Sequence, residues 1–147
     1  MLCRVPDITI EAAFFKETTM AYKLLIVDDE KEVIANLTPV LVREGYEVEA
    51  AYDGEEAPAK IDSANPNIVL LDIQMPKLNG FQVLEKMKAK GDQHWRPVII
   101  MSTLTELETM KKCYELEADH YLTKPFTVDD MLRSVRIMIS LLSARIS

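Results

Sequence analysis

Three carboxylates, a hydroxyl and an ammonium stand at matching places in this sequence. They are Asp28-Asp29 after YKLLIV, Asp72 after NIVLL, Ser102 after PVIIM and Lys124 after DHYLT. Each preceding run is short, apolar and rich in β-branched residues, as expected of a strand buried on both faces. In an open parallel sheet the carboxyl ends of the strands line one crevice, and ligands bind there. Side chains dozens of residues apart in the chain would therefore meet at one edge. Clustered carboxylates suit a hard divalent cation, while an ammonium and a hydroxyl suit the oxygens of a phosphoryl group. The chemistry within reach of such a set is phosphorylation.

The elements that must position these groups alternate along the chain. A strand at 22–27 leads into a helical pattern from Lys31 to Glu44, with Val33, Leu37, Val40 and Leu41 on one face. Glu44-Gly45 ends it, glycine being common just past a helix C-terminus. A strand at 46–51 follows, and Asp53-Gly54 starts a short helix with Glu55 and Glu56 in its first turn, where the helix dipole favours acids. The third strand is 67–71, and MPKLNG at 75–80 leads to a helix near 80–89 with Phe81, Leu84 and Met87 inward. The strand at 97–101 precedes a helix near 105–116, with Leu107, Met110 and Tyr114 at helical spacing. A last strand at 119–122 and a helix from Thr127 to Ser143, with Met131, Val135, Met138 and Leu142 on its apolar face, complete the pattern. Five strands alternating with five helices predict an α/β doubly wound parallel sheet. Residues 1–20 fall outside this pattern and are read as an N-terminal extension, either a short helix or a disordered lead-in, ahead of a domain over 21–147.

Composition narrows the function. With 147 residues, 48% of them apolar and 28% charged, the chain has the makings of one soluble domain with a real core. Lys and Arg number 17 against 24 Asp and Glu, a net charge of -7, so nucleic acid is not expected as a direct partner. No apolar run approaches the length of a membrane span, and Asp7 and Glu11 interrupt any signal-like stretch. Cys3 and Cys113 are too few for a disulfide framework, and a reducing cytoplasm is the expected setting.

With Asp28-Asp29, the run Asp72-Ile73-Gln74-Met75-Pro76, Gly80, Ser102 and the run from Tyr121 to Phe126 all in order, the chain resembles a response-regulator receiver domain over roughly residues 22–143. The resemblance implies a flavodoxin-like sheet with strand order 2-1-3-4-5. It implies that Asp72 accepts a phosphoryl group from the phosphohistidine of a sensor histidine kinase or phosphotransfer protein. It further implies Mg²⁺, held by the Asp29 and Asp72 carboxylates and the Gln74 backbone carbonyl, with Asp28 acting directly or through water. Lys124 and Ser102 would each hold a phosphoryl oxygen, and the Lys124-Pro125 bond is commonly cis in the family. Movement of Ser102 towards the phosphate would let Tyr121 turn inward, switching the face of the fourth helix, last strand and last helix for a downstream protein target. Such a protein is a cytoplasmic signalling module rather than an enzyme, monomeric or dimerising on phosphorylation. Two departures stand out. Thr103 replaces the family's usual Ala, with a bulk expected to hinder Tyr121, and His120 sits where an acid is common.

Blander readings apply to each residue alone. Asp28-Asp29 could cap a helix, Ser102 could cap the next one, Lys124 could be a surface lysine and Tyr121 a half-buried strand tyrosine. None explains all the positions together. His94 and His120 lack neighbours at metal-ligand spacing, and Cys113 is read as a small apolar residue near a helix face. Rival assignments are a receiver excised from a DNA-binding regulator or hybrid kinase, and a small aspartyl-phosphate hydrolase, which would want an acid where Gln74 stands. A flavodoxin-like redox protein is a third, but its phosphate loop would not be the acidic DDEKE.

Overall fold

Alternate residues along the central strands feed two separate cores. In the computed structural model, which describes residues 22–89 and 95–146, Leu24, Ile26, Ile68, Leu70, Ile99 and Met101 point to one side of the sheet. Leu25, Val27, Val69, Leu71, Val98 and Ile100 point to the other. All are fully or almost fully buried. Burial of each such side chain contributes about 1.5–3 kcal/mol, so both faces of the sheet must be covered.

The covering elements are β1 (Lys23–Val27), α1 (Lys31–Arg43), β2 (Glu47–Ala51), α2 (Glu56–Ala64), β3 (Ile68–Asp72), α3 (Gly80–Ala89), β4 (Val98–Ser102), α4 (Leu107–Glu115), β5 (His120–Thr123) and α5 (Val128–Ile146). Helices α1 and α5 close the first core, and α2, α3 and α4 the second. The five strands are parallel and lie in the order β2-β1-β3-β4-β5, as expected. Because β1 pairs with both β2 and β3, the chain runs outward from β1 to β2 and then returns across it. The ligand crevice of such a sheet opens at that reversal, above the ends of β1 and β3.

Local chemistry sets the helix ends. Gly45 takes a positive φ of 100° after α1, and Asn65 ends α2 with φ 49°. Asp53 caps α2 by accepting bonds from the N–H groups of Glu55 (2.9 Å) and Glu56 (2.8 Å), so the helix begins two residues later than its acids suggest. Reciprocal capping pairs, Asn79 with Gln82 and Thr127 with Asp130, start α3 and α5.

One expectation about the helix faces needs correction. In α4, Leu107 is 80% exposed and Tyr114 48%, while Cys113 is wholly buried. The helix is anchored by its small residue because it is short and meets the sheet along a narrow line, so the larger apolar side chains are left outside. In α1, Leu37 and Leu41 are buried and Val33 and Val40 pack partly against the same core, as expected, with Ile34 buried beside them. The helix continues through Pro39. The apolar face of α5 is as expected, and the helix runs three residues further, to Ile146. The expectations for residues 1–20 and for His94 fall outside the described residues.

Candidate functional site

Four of the five strand ends deliver polar groups to the crevice. Asp28 directly follows β1, Asp72 is the last residue of β3, Ser102 the last of β4, and Lys124 directly follows β5. Asp72 and Ser102 thus belong to their strands rather than lying just past them. The parallel register places Asp72 beside Met101, and Ser102 beside Thr123. Bonds from Asp28 N–H to the Ala51 carbonyl (3.1 Å) and from Lys124 N–H to the Ser102 carbonyl (2.8 Å) carry the ladder one step beyond the strands.

Asp28, Asp29 and Asp72 each offer a carboxylate oxygen, and these oxygens lie within 4.8 Å of one another. Asp28 is fully buried and Asp72 4% exposed, whereas Asp29 is open to solvent. The Lys124 ammonium bonds Asp28 Oδ2 at 2.8 Å, reaches Glu30 Oε1 at 3.2 Å and stands 3.7 Å from Asp72 Oδ2. Asp28 Oδ1 also accepts from the Glu30 N–H (2.9 Å), and Asp72 Oδ1 from the Gln74 N–H (3.2 Å).

Crowding of acids costs energy where water is scarce. Burial, then the charge of Asp28, push the Asp72 carboxyl up to about 7, against the pull of Lys124 and the Gln74 N–H; Asp29 adds to the rise. For Lys124, burial works to lower the ammonium's pKa. The bond to Asp28 and the charges of Asp72 and Asp28 outweigh it, and the net shift is upward. One buried ammonium does not balance this acid cluster. Three oxygen donors of the hard kind, grouped and short of positive charge, fit a cation such as Mg²⁺.

Ser102 Oγ accepts a bond from the Leu104 N–H (3.0 Å). The Leu104 carbonyl accepts from the Tyr121 hydroxyl at 2.6 Å, with Tyr121 buried and turned inward. Thr103 is exposed and donates to Gln74 Oε1 at 3.0 Å. His120 is half-buried at the far end of β5. The Lys124-Pro125 bond is cis.

The site holds groups that residue typing missed. Glu30 shares Lys124; the run Asp-Asp-Glu carried that signal. Gly80 packs the start of α3 against the end of β3, where a Cβ would lie 2.6 Å from the Asp72 carbonyl oxygen and 2.7 Å from Ile73 Cα. Gly54 similarly admits the Leu78 carbonyl. Such close approaches leave no periodic trace in a sequence. The Thr103–Gln74 bond joins loops 29 residues apart, a pairing that only the fold reveals.

Comparison with known proteins agrees with this geometry. The profile of the family described as "Response regulator receiver domain" matches residues 24–136. The regulatory protein VanRB of Enterococcus faecalis is 32% identical over 120 residues, which cover 82% of this chain and 53% of that protein. The chain therefore spans about half the length of the curated relatives it matches. Among solved structures, a CheY-like receiver domain from Methanospirillum hungatei superposes with a TM-score of 0.78 at 29% identity, covering 84% of this chain and 98% of that one. The CheY of the CheX–CheY–BeF3–Mg²⁺ complex from Borrelia burgdorferi gives 0.72 at 32% identity, covering 78% and 86%.

Proposed function

Since the chain belongs to the response regulator receiver domain family of two-component signalling, we propose that it is an Mg²⁺-dependent phosphoacceptor with Asp72 as its nucleophile. The observation that carries this reading is the packing of Asp28, Asp29 and Asp72 around one point beside Lys124. The donor is a phosphohistidine on a sensor histidine kinase or phosphotransfer protein. A bond forms between an Asp72 carboxylate oxygen and phosphorus, the bond from phosphorus to the donor nitrogen breaks, and the imidazole takes up a proton.

Asp28, Asp29, Asp72 and the Gln74 carbonyl would hold the cation, which supplies positive charge for the phosphoryl oxygens. Ionised Asp72 attacks; Lys124 already opposes the burial that raises its pKa, and a bound cation would lower it further. Lys124 holds one phosphoryl oxygen by exchanging part of its bonding to Asp28 and Glu30. Ser102 donates its hydroxyl proton to another oxygen while it still accepts from Leu104. Tyr121 then reads the change through the Leu104 peptide that both residues bind.

The output surface in this reading is α4, β5 and α5, where Leu107, Tyr114, Ile137 and Leu141 leave apolar area exposed. A downstream protein, or a second copy on phosphorylation, is its occupant. The setting proposed is cytoplasmic. Among the described residues, no helix is long and apolar enough to cross a membrane.

The test is intact mass after treatment with acetyl phosphate. The wild-type chain should gain one phosphoryl group only with Mg²⁺, and Asp72→Asn none. Equal labelling of both would sink the assignment.

A further inference from the structure

Gln74 and Thr103 meet over the mouth of the site, one from the loop after β3 and one from the loop after β4. The Thr103 hydroxyl donates to Gln74 Oε1 at 3.0 Å, and both side chains are exposed. Gln74 is also tied to the nucleophile, since its N–H bonds Asp72 Oδ1 at 3.2 Å. Its side chain therefore starts beside the acceptor carboxylate and ends on the opposite loop. On that opposite side the next residue, Leu104, has no hydrogen-bonding side chain and packs against the second core.

This inference rests on Asp72 being the phosphoacceptor and concerns how the acyl phosphate is lost. Hydrolysis forms a bond between a water oxygen and phosphorus and breaks the bond from phosphorus to the Asp72 oxygen. Asp72 leaves as a carboxylate, and the water's proton goes to the released phosphate or to solvent. The water must approach in line with the breaking bond, and it must give its hydrogen bonds to an acceptor. An amide side chain has one acceptor oxygen and two N–H donors. With Oε1 taken by Thr103, Gln74 turns mainly donors towards the phosphoryl group. Donors stabilise the phosphoryl oxygens and orient no nucleophile.

We propose that Thr103 is a positioning residue that holds the Gln74 amide oxygen away from the attacking water and so prolongs the phosphorylated state. The hydroxyl, not the size of the side chain, does this. Thr103→Val, nearly the same shape without the donor, frees the amide to rotate its oxygen over the phosphoryl group. Loss of one such hydrogen bond corresponds to a change of about threefold to tenfold in rate.

The experiment uses the full chain, phosphorylated with acetyl phosphate and Mg²⁺, freed of donor, and followed by intact mass. Thr103→Val should shorten the lifetime about threefold to tenfold, and Thr103→Ser, which keeps the hydroxyl, should decay like the wild type. In a Gln74→Ala background, Thr103→Val should change nothing, because the amide it releases is gone. An unchanged lifetime in Thr103→Val, or the same acceleration with and without Gln74, would overturn the inference. Failure of the wild-type chain to take up an Asp72-dependent phosphoryl group would instead overturn the phosphoacceptor reading, and this inference with it. Because Thr103 is exposed and outside the cores, its variants should fold as the parent does.

Discussion

Replacing Asp72 by Asn should make the metal-free protein more stable, and the gain should depend on pH. Burial and the neighbouring Asp28 raise the Asp72 carboxyl from 3.8 to about 7. Below about pH 4 the folded and unfolded chains both hold this proton, and the site costs nothing. From about 4 to about 7 only the folded chain keeps it, so stability falls as pH rises; above that the full cost is present. At about 1.4 kcal/mol per factor of ten, the ceiling on this cost is about 4 kcal/mol. Solvent at the rim of the site screens the charges, which brings the expected value to about 1–2 kcal/mol. Asn retains an oxygen for the Gln74 N–H and removes the charge, while Asp28 still holds Lys124. Urea unfolding in EDTA should therefore show Asp72→Asn ahead of wild type by about 1–2 kcal/mol at pH 8, with little or no advantage below about pH 4. Parallel stability curves for the two proteins across that range would refute the claim that crowded, buried acids strain this site.

Mg²⁺ should raise the melting temperature of the wild type by mass action, by about 2.7 kcal/mol of stability at one hundred times its dissociation constant, and more strongly at pH 8 than at pH 6. Calorimetry on Asp29→Ala should show most of that rise lost. Gly80→Ala places a methyl 2.6 Å from the Asp72 carbonyl oxygen; denaturant unfolding should show a loss of about 1–3 kcal/mol, accompanied by slower phosphorylation. Burial pushes the Cys113 thiol up to about 11 despite the nearby Lys112, so in a Cys3→Ser chain a thiol reagent at pH 8 should label only as fast as the protein opens.

The residues brought to the sheet edge were legible in the sequence because β1, β3 and β4 are buried apolar runs followed or ended by polar groups, whereas the strand order came from the resemblance to receiver domains. Asp28, Asp72, Ser102 and Lys124 announce themselves by type and by place. The face of α4 was misjudged. Periodicity shows that apolar residues recur, but which of them touches the sheet depends on how the helix is tilted, and in α4 that selects Cys113 over Leu107 and Tyr114. Close backbone approaches at Gly54 and Gly80 were invisible, since the partner atoms are carbonyls from distant positions. The Thr103–Gln74 bond was missed because Thr103 was weighed only for its bulk.

The division of the interior into two cores has a consequence for how this chain can diverge. Along β3, Ile68 and Leu70 serve one core, Val69 and Leu71 the other, and Asp72 comes next at the edge. Inserting or deleting one residue in β3 would exchange the two sets and turn Asp72 away from Asp28, Asp29 and Lys124. Stability and chemistry are thus written in the same five letters, which leaves that stretch little freedom. By contrast, α4 commits one small buried side chain to the interior. Its outer surface can accept many substitutions without loss of the fold, so recognition of new partners can evolve there while the reacting edge stays as it is.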